Sequence, residues 1–397
     1  MEYRLCEIFD LQMGKTPDRN KSAYWSDGTE EWISIADLGK SDKYISATKE
    51  KISKCAIENS GIKAIPPNTV EMSFKLSIGK VAITKKQMYS NEAIMAFRDK
   101  KVIMIDPSYV YYLFLGQNWD EGTNKAVMGK TLNKAILSEK IIKVHSFEEQ
   151  KYIVHILDRV MTLIKREKKQ IELLDILIKS RFVEMFGDIS RDEYKYEIRK
   201  LGDVANVGSS HRVFTNEFVE NGIPFYRGTE IGELANGQLP ADPYYIAEDH
   251  YLRLASDETK PQKGDLLMPS ICNKGQIWMV DTDRPFYYKD GRVLCISADR
   301  DIYDTKYLQY YMRIKTEIEY PKLGSGSTFA EFKIFLLKDL DILTPPKAIQ
   351  NQFAAFVYQV DKLKVTNILK VDIDIICGLI EKSNQIKIME AVELYVA

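Results

Sequence analysis

The tripeptide Gly-Lys-Thr occurs twice, at Gly14–Lys15–Thr16 and at Gly129–Lys130–Thr131, and it invites a phosphate-loop reading. Such a loop needs a further glycine five residues earlier, so that bare backbone amides can ring the phosphates. Phe9 and Asn124 stand there instead, so nucleotide binding is not expected. The four histidines, His145, His155, His211 and His250, have no neighbours at a spacing that makes a nucleophile pair or a metal set. Asp265 and Asp283 lack the convergent lysine and metal of a nuclease and read as solvated surface. The Pro-Pro pairs follow Ile65 and Thr344. Neither forms the Asn-Pro-Pro-aromatic stretch with which an adenine methyltransferase grips a flipped base. No catalytic constellation emerges.

Hydrogen-bonding chemistry fares better. In the major groove of DNA, Arg or Lys reads guanine, Asn or Gln reads adenine and small hydroxyls read either, while phosphates accept from any donor. Lys15, Arg19, Asn20 and Lys21 share one loop, with Tyr24 and Trp25 close behind. Lys75, Ser77 and Lys80 form a turn, followed by the polar stretch Lys85, Lys86, Gln87 and Tyr89. Later in the chain the corresponding places hold Ser209, Ser210, His211, Arg212 and Asn216, then Asn273, Lys274 and Gln276, then Tyr287, Lys289 and Arg292. Any one of these could be an ordinary loop residue. Their recurrence in corresponding loops makes them candidate DNA contacts, and their differences between copies point to different half-sites.

The elements that must hold these loops are visible in a repeat. EMSFKLSIGKVAIT at 71–84 returns as LLMPSICNKGQIWM at 267–280, a shift of 196 that lays Met72 on Met268 and Gly79 on Gly275. The same shift matches LCEIFDLQMG (5–14) with LGDVANVGSS (201–210). A shift of 193 matches WISIADL (32–38) with FYRGTEI (225–231), and a shift of 200 matches MGKTLNKAIL (128–137) with TFAEFKIFLL (328–337). A duplicated, diverged domain is expected. Runs such as VAIT, AIMAF, QIWMV and RVLCIS predict strands, and 108–115 and 305–314 predict short helices, so each copy mixes α and β.

After each copy the period becomes helical. The first stripe holds Ile153, Leu157, Met161, Ile164, Ile171, Leu174 and Ile178. The second holds Phe353, Phe356, Val360, Leu363, Ile368, Ile376 and Leu379, with Gln150 falling on Gln350. Ser146 and Glu149 predict a capping box, Gly187 a stop, and Pro345–Pro346 a helix start. A helix of about 40 residues is roughly 60 Å long, more than a globule of this size can wrap, so each stripe is expected to bury on the other helix. The expected architecture is α+β: globules at 1–145 and 188–345, and two long antiparallel, coiled-coil-like helices at 146–187 and 346–397.

Composition permits this plan. With 397 residues and 45% hydrophobic content the chain can build several domains. Cys6, Cys55, Cys272, Cys295 and Cys377 are scattered without a CxxC pair, so neither a disulfide frame nor a metal is expected. No leader opens the chain and no run approaches the roughly 18 apolar residues of a membrane span. A soluble cytoplasmic protein without a membrane partner is expected. The net charge of −1 hides an asymmetry, +4 over residues 1–145 and −6 over 201–345. DNA contact would therefore rest on local basic faces.

The doubled order of globule and long helix, with the GKVAI turn (79–83), the STFAEF segment (327–332) and the helix starts SFEEQ (146–150) and PPKAIQNQ (345–352), resembles the specificity subunit of Type I restriction-modification systems. The resemblance spans nearly the whole chain. It implies two target recognition domains, each reading half of a bipartite site in double-stranded DNA. It also implies helices that act as spacer and as docking surface for two methyltransferase subunits, and through them for restriction subunits. S-adenosylmethionine, ATP and magnesium would belong to those partners, with no cofactor on this chain and no catalysis by it. The competing reading is a protein-interaction scaffold with two globular modules on a helical rod, which the acidic second copy favours slightly.

Overall fold

The computed structural model describes residues 1–119, 124–126, 129–256, 259–323 and 330–380, with the backbone alone at 124–126, 129–131 and 365–380. The chain divides into two compact units, one containing Met1–Glu167 and the other Lys168–Leu369.

In the first globule a five-stranded sheet runs in the order Phe9–Met13, Ile94–Asp99, Val70–Ser73, Val81–Thr84, Tyr44–Ile45, antiparallel except for the last pair. Successive side chains point to opposite faces, and the strands Val70–Ser73 and Val81–Thr84 are buried on both. Leu11, Val70, Met72, Val81 and Phe97 share a core with the helix Pro107–Leu115. Asp106 caps that helix by accepting from the Ser108 amide at 2.7 Å, and Pro107 takes the first position, where a missing N–H costs nothing. A smaller sheet of Glu50–Ile52, Glu30–Ile33 and Tyr89–Ser90 completes the globule.

The second globule repeats the plan. Its four-stranded sheet runs Ala205–Gly208, Val293–Ala298, Leu266–Pro269, Trp278–Met279, with Asp304 capping the helix Thr305–Glu319. The three sequence shifts fall on equivalent elements. The shift of 196 relates Phe9–Met13 to Ala205–Gly208 and Val70–Ser73 to Leu266–Pro269; 193 relates Glu30–Ile33 to Ile223–Tyr226; 200 relates Lys134–Glu139 to Ile334–Lys338. Pairing register is kept as well, Glu71 opposite Ala96 and Leu267 opposite Cys295. The expected duplication is present. Residues 327–329 of the STFAEF segment lie outside the described residues.

The first rod, Phe147–Phe186, is one helix of 40 residues. The predicted capping box forms: the Glu149 carboxylate accepts from the Ser146 amide at 2.8 Å, and the Ser146 hydroxyl accepts from the Glu149 amide at 3.4 Å. Gly187 ends the helix at φ +97°, where an added Cβ would stand 2.1 Å from the Glu193 carbonyl oxygen. The second rod, Lys347–Ile380, begins directly after Pro345–Pro346.

Where the stripes are buried differs from expectation. Ile153 and Leu157 enter the core of the first globule, while Ile178, Phe182 and Phe186 enter that of the second together with Phe353, Val357 and Val360. The globules therefore take up the rod ends that were expected to lie only on each other, because an apolar stripe packs on whichever core adjoins it. Each fully buried ring of this kind contributes about 2 kcal/mol. Met161, Ile171, Leu174 and Phe356 are half-buried and Ile164 is buried. Direct helix-to-helix contact exists within the second unit. The Phe353 ring centroid lies 5.5 Å from that of Phe182 and 5.4 Å from that of Phe186, and Lys364 pairs with Asp175 at 2.5 Å. Numbering falls on one helix as it rises on the other, so the two run antiparallel there. Leu363 is a correction: it is 52% exposed, and Lys364 takes the facing position after Phe353, Val357 and Val360. The side chains of Ile368, Ile376 and Leu379 lie outside the described residues.

Both rods are rooted by the same amide. Gln150 and Gln350 are wholly buried. The Gln150 oxygen accepts from the Asp106 amide at 2.9 Å, and its nitrogen donates to the carbonyls of Met104 at 3.2 Å and His145 at 3.0 Å. The Gln350 oxygen accepts from the Asp304 amide at 2.9 Å, and its nitrogen donates to the carbonyls of Ile302 at 3.0 Å and Pro345 at 2.8 Å. Beside each, a tyrosine hydroxyl reaches the last strand of the globule, Tyr109 to the Lys143 carbonyl at 3.2 Å and Tyr307 to the Leu343 carbonyl at 3.1 Å.

The two cores part company at Glu71. It occupies the place of Leu267, on the sheet face opposite Val70 and Met72. Its cross-strand neighbours are Ala82 and Ala96, where the second globule has Trp278 and Cys295. Glu71 is wholly buried, and neither its carboxyl oxygens nor the nearby Ser90 hydroxyl has a hydrogen-bond partner among the described residues. Burial pushes the carboxyl up to about 7, against a smaller opposing pull from Ser90. A group with a higher pKa folded than unfolded stabilises fully below its ordinary value of 4.5 and loses that contribution as pH climbs through about 7. The loss is about 3 kcal/mol. Hydrogen-exchange protection of the strand Val70–Ser73, corrected for the intrinsic rate, is expected to fall between pH 5 and pH 8 in the native chain and to stay level in Glu71→Gln. Parallel pH profiles for the two proteins would contradict this.

Candidate nucleic-acid interface

Three loops meet at one end of each central sheet, and backbone bonds set where. In the first globule the Gly14 amide donates to the Ile94 carbonyl at 3.1 Å, the Lys15 amide to the Ser90 carbonyl at 2.8 Å, and the Phe74 amide to the Ala93 carbonyl at 2.9 Å. In the second, the Ser209 hydroxyl donates to the Val293 carbonyl and accepts from the Gly291 amide, both at 2.8 Å. The Ser210 hydroxyl donates to the Tyr288 carbonyl at 2.6 Å, and the Ser270 amide to the Arg292 carbonyl at 2.8 Å. Gly14 is needed for this closeness, since a Cβ there would lie 2.2 Å from the Asn91 carbonyl oxygen. The first Gly-Lys-Thr is thus a place where carbonyls crowd in, the opposite of an amide cradle for phosphate.

In the first globule Lys15, Lys75, Ser77 and Lys80 belong to this confluence. Lys15 and Ser77 are exposed, and Lys75 and Lys80 are half-buried. Arg19, Asn20 and Lys21 continue along the same loop to the smaller sheet. The Arg19 guanidinium lies 3.8 Å from the Trp25 ring centroid and 4.9 Å from that of Trp32, and it pairs with Glu50 at 2.5 Å. Asn20 is exposed, and the Lys21 ammonium lies 3.4 Å from the Tyr24 hydroxyl. Lys86 shares Glu31 with Lys51, at 3.1 and 3.3 Å. Burial opposes the charge on Glu31, but bonds from Thr48, Lys86 and Lys51 outweigh it and hold the carboxyl below its usual value; the Arg19 bond does the same for Glu50. Lys85 lies 5.4 Å from the Tyr44 ring centroid. Lys80 precedes the strand Val81–Thr84 and Lys85 follows it, so the candidates fall into two groups at opposite ends of that strand.

In the second globule the candidates lie on the three loops that these bonds tie together and on the short turn after them. Ser209 and Ser210 spend their hydroxyls on backbone and so position the loop that presents His211 and Arg212, both exposed. Arg212 lies 5.1 Å from the Phe214 ring centroid, and Asn216 is exposed on the next short turn. Asn273 and Lys274 stand exposed on a turn closed by Gly275 at φ +62°, with Gln276 half-buried after it. Lys289 pairs with Asp290 at 3.2 Å and Arg292 with Glu331 at 2.9 Å. Tyr89 and Tyr287 are the exceptions. Tyr89 is buried beside Trp32 and Ile52, and Tyr287 is buried with its hydroxyl accepting from the His211 amide at 3.0 Å. Both rings serve the core, so neither can stack on a base.

The sequence reading overlooked Trp32, the buried ring beneath Arg19, and Lys51, which joins Lys86 on Glu31 at the other face of the smaller sheet. The alternation of Lys49 and Lys51 along KEKISK could have signalled the lysine face. What the two confluences offer is donors for phosphate and base edges with aromatic support, at loops that differ between copies. Among the described residues no group of three or more His, Cys, Asp or Glu could hold a metal, and no helix is long and apolar enough to cross a membrane.

Known proteins share this arrangement. The family described as Type I restriction modification DNA specificity domain matches residues 1–174 and again 193–373. The Type I restriction enzyme MjaIX specificity subunit of Methanocaldococcus jannaschii is 26% identical over 384 residues, covering 89% of this chain and 85% of that protein. The EcoR124I/EcoR124II specificity subunit of Escherichia coli is 29% identical over 167 residues, 40% of each chain. Among solved structures, the Type-I restriction-modification S subunit from M. genitalium aligns with a TM-score of 0.53 at 13% identity over 95% of this chain and 93% of that one. A chain from a study of complex assembly and conformational transition of the type I R-M system gives 0.55 at 16%, over 100% and 96%. These two show the fold. With one family matched over both repeats and the duplicated globule-and-rod plan in place, the chain belongs to the Type I restriction-modification specificity family.

Proposed function

We propose that this chain is the DNA target recognition subunit of a Type I restriction-modification enzyme and works as two readers on a ruler. The match of one DNA specificity family to both repeats carries the reading. The chain is a non-catalytic recognition subunit. Residues 1–145 and 188–345 are the target recognition domains, each taking one half of a bipartite double-stranded site through the loop confluence at the end of its central sheet. The helices Phe147–Phe186 and Lys347–Ile380 are the rods that set the unread spacer, and residues 381–397, which the sequence assigns to the second rod, lie outside the described residues. Nothing in the site favours the protein-scaffold alternative.

Electrostatics gives the mode of search. Lys15, Lys75 and Lys80 on one globule, and Arg212, Lys274, Lys289 and Arg292 on the other, meet phosphates by counterion release, while Asn20, Ser77 and Asn273 serve base edges. Several cations are already shared with acids, Arg19 with Glu50, Lys86 with Glu31 and Arg292 with Glu331. Such pairing trims non-specific affinity and leaves shape and base contacts to decide the site.

The partners are two methyltransferase subunits, which carry S-adenosylmethionine, and through them restriction subunits that use ATP and magnesium; the assembly works in the cytoplasm. The first rod supports this docking. Leu173, Ile176 and Leu177 are 53, 58 and 48% exposed on the face away from Leu174 and Ile178. Apolar side chains at helical spacing fit the apolar stripe of another helix.

Two outcomes test this. Converting Lys75 and Lys80 to Gln is expected to weaken DNA binding of the assembled methyltransferase and to flatten the plot of log affinity against log salt by about 1 for each phosphate that the variant no longer neutralises; an unchanged slope would remove that turn from the interface. Replacing Leu173, Ile176 and Leu177 by Glu is expected to abolish co-purification with the methyltransferase subunit while the chain keeps its helical circular dichroism. Undiminished co-purification would place the docking surface elsewhere.

A further inference from the structure

We infer that Gln150 and Gln350 are positioning residues that fix the angle at which each rod leaves its globule, and so restrict the enzyme to one spacer length. The inference rests on the proposed reading of the chain as two readers on a ruler, and it adds that rod length alone is not enough.

A rod measures distance only if its junction to the reader is stiff. A helix joined to a domain by apolar packing alone can rock, since side chains in contact tolerate small rotations with little loss. Directional hydrogen bonds are less forgiving. Each glutamine makes three of them from one side chain, to two pieces of backbone: the segment that leads into the globule's helix, at its starting amide and at a carbonyl two residues earlier, and a carbonyl just ahead of the rod itself. Two bonds from one buried side chain to the start of the globule's helix, with a third holding that side chain to the rod's own start, restrain how the rod turns against the globule. One bond, or two along a line, would leave a rotation free.

Both copies keep this clamp although the sequence around them has drifted. The rod start is Val-His-Ser-Phe in one copy and Thr-Pro-Pro-Lys in the other, and the residues donated to are Met104 and His145 against Ile302 and Pro345. What persists is the amide and the backbone positions it reaches. The clamp is wholly buried and far along the chain from the exposed loop donors, so base reading does not explain it. No other residue type reproduces it: glutamate of the same shape loses both N–H donors, and leucine or methionine loses every bond while leaving one backbone amide and two carbonyls unsatisfied. The hydroxyls of Tyr109 and Tyr307 add a weaker tie at the same junction.

The experiment uses the full chain co-expressed with its methyltransferase subunits in a host without methylation, with modified sites read genome-wide by single-molecule sequencing. The native chain is expected to modify one bipartite motif at one spacer length. Gln150→Met and Gln350→Met are expected to keep the letters of both half-sites while modification of sites with one base pair more or fewer rises roughly tenfold, a part of what the loss of all three hydrogen bonds allows. Tyr109→Phe and Tyr307→Phe, which each delete a single hydroxyl, are expected to give a milder form of the same broadening, and they decide the matter if the glutamine variants do not fold. Retention of a single spacer by the folded variants would overturn the clamp as a positioning device. Absence of any bipartite motif with the native chain would instead overturn the reading on which it stands.

Discussion

An amphipathic helix of 40 residues cannot stand alone in water, and how its apolar stripe is satisfied determines what the molecule can do. Here the stripe is satisfied piecewise. Ile153 and Leu157 belong to one globular core and Ile178, Phe182 and Phe186 to another, with Phe353 of the second rod packed against both of the last two rings. The rods are therefore parts of the readers rather than tethers between them. A flexible linker of the same length would have no defined end-to-end distance, and reading two half-sites with a fixed gap would be impossible.

Duplication then supplies specificity at small structural cost. The sheets, the capped helix behind each sheet and the clamp at each rod are shared, and the loops at the sheet ends are free to differ. Lys75, Ser77 and Lys80 in one copy correspond to a turn bearing Asn273 and Lys274 in the other. Cores diverge too, as Glu71 beside Ala82 and Ala96 against Leu267 beside Trp278 and Cys295 makes plain. The first copy there gives up apolar packing for a buried acid whose charge water would have stabilised.

Much of this was legible in the chain itself. The shifts of 196, 193 and 200 fell on real strands and helices because turn residues and apolar positions are what a fold preserves when identities fade. Ser146, Glu149 and Gly187 marked the rod ends because capping chemistry is local. Gln150 aligned with Gln350, but no local rule distinguishes a clamp from an exposed glutamine; only the backbone groups of distant segments do. The stripe was misread at Leu363 because Phe356 and Val357 are both apolar, and steps of three and four fit either phase. Lys364, facing Asp175, looked polar and hence outward. Tyr89 and Tyr287 carry the hydroxyl of a surface residue and the ring of a core one, and here the ring prevailed. Glu71 could not be foreseen, since an acid inside an apolar strand normally marks the solvent side.

The most direct test changes the ruler and nothing else. A matched heptad inserted into both rods, after Arg166 in the first and after Thr366, its equivalent by the shift of 200, in the second, leaves the described globule contacts and both clamps in place while adding about 10 Å of helix. The methylated motif is then expected to keep both half-sites and to gain about three base pairs of unread spacer, at roughly 3.4 Å per pair. A motif with its original spacing would contradict the claim that the rods measure the distance between readers.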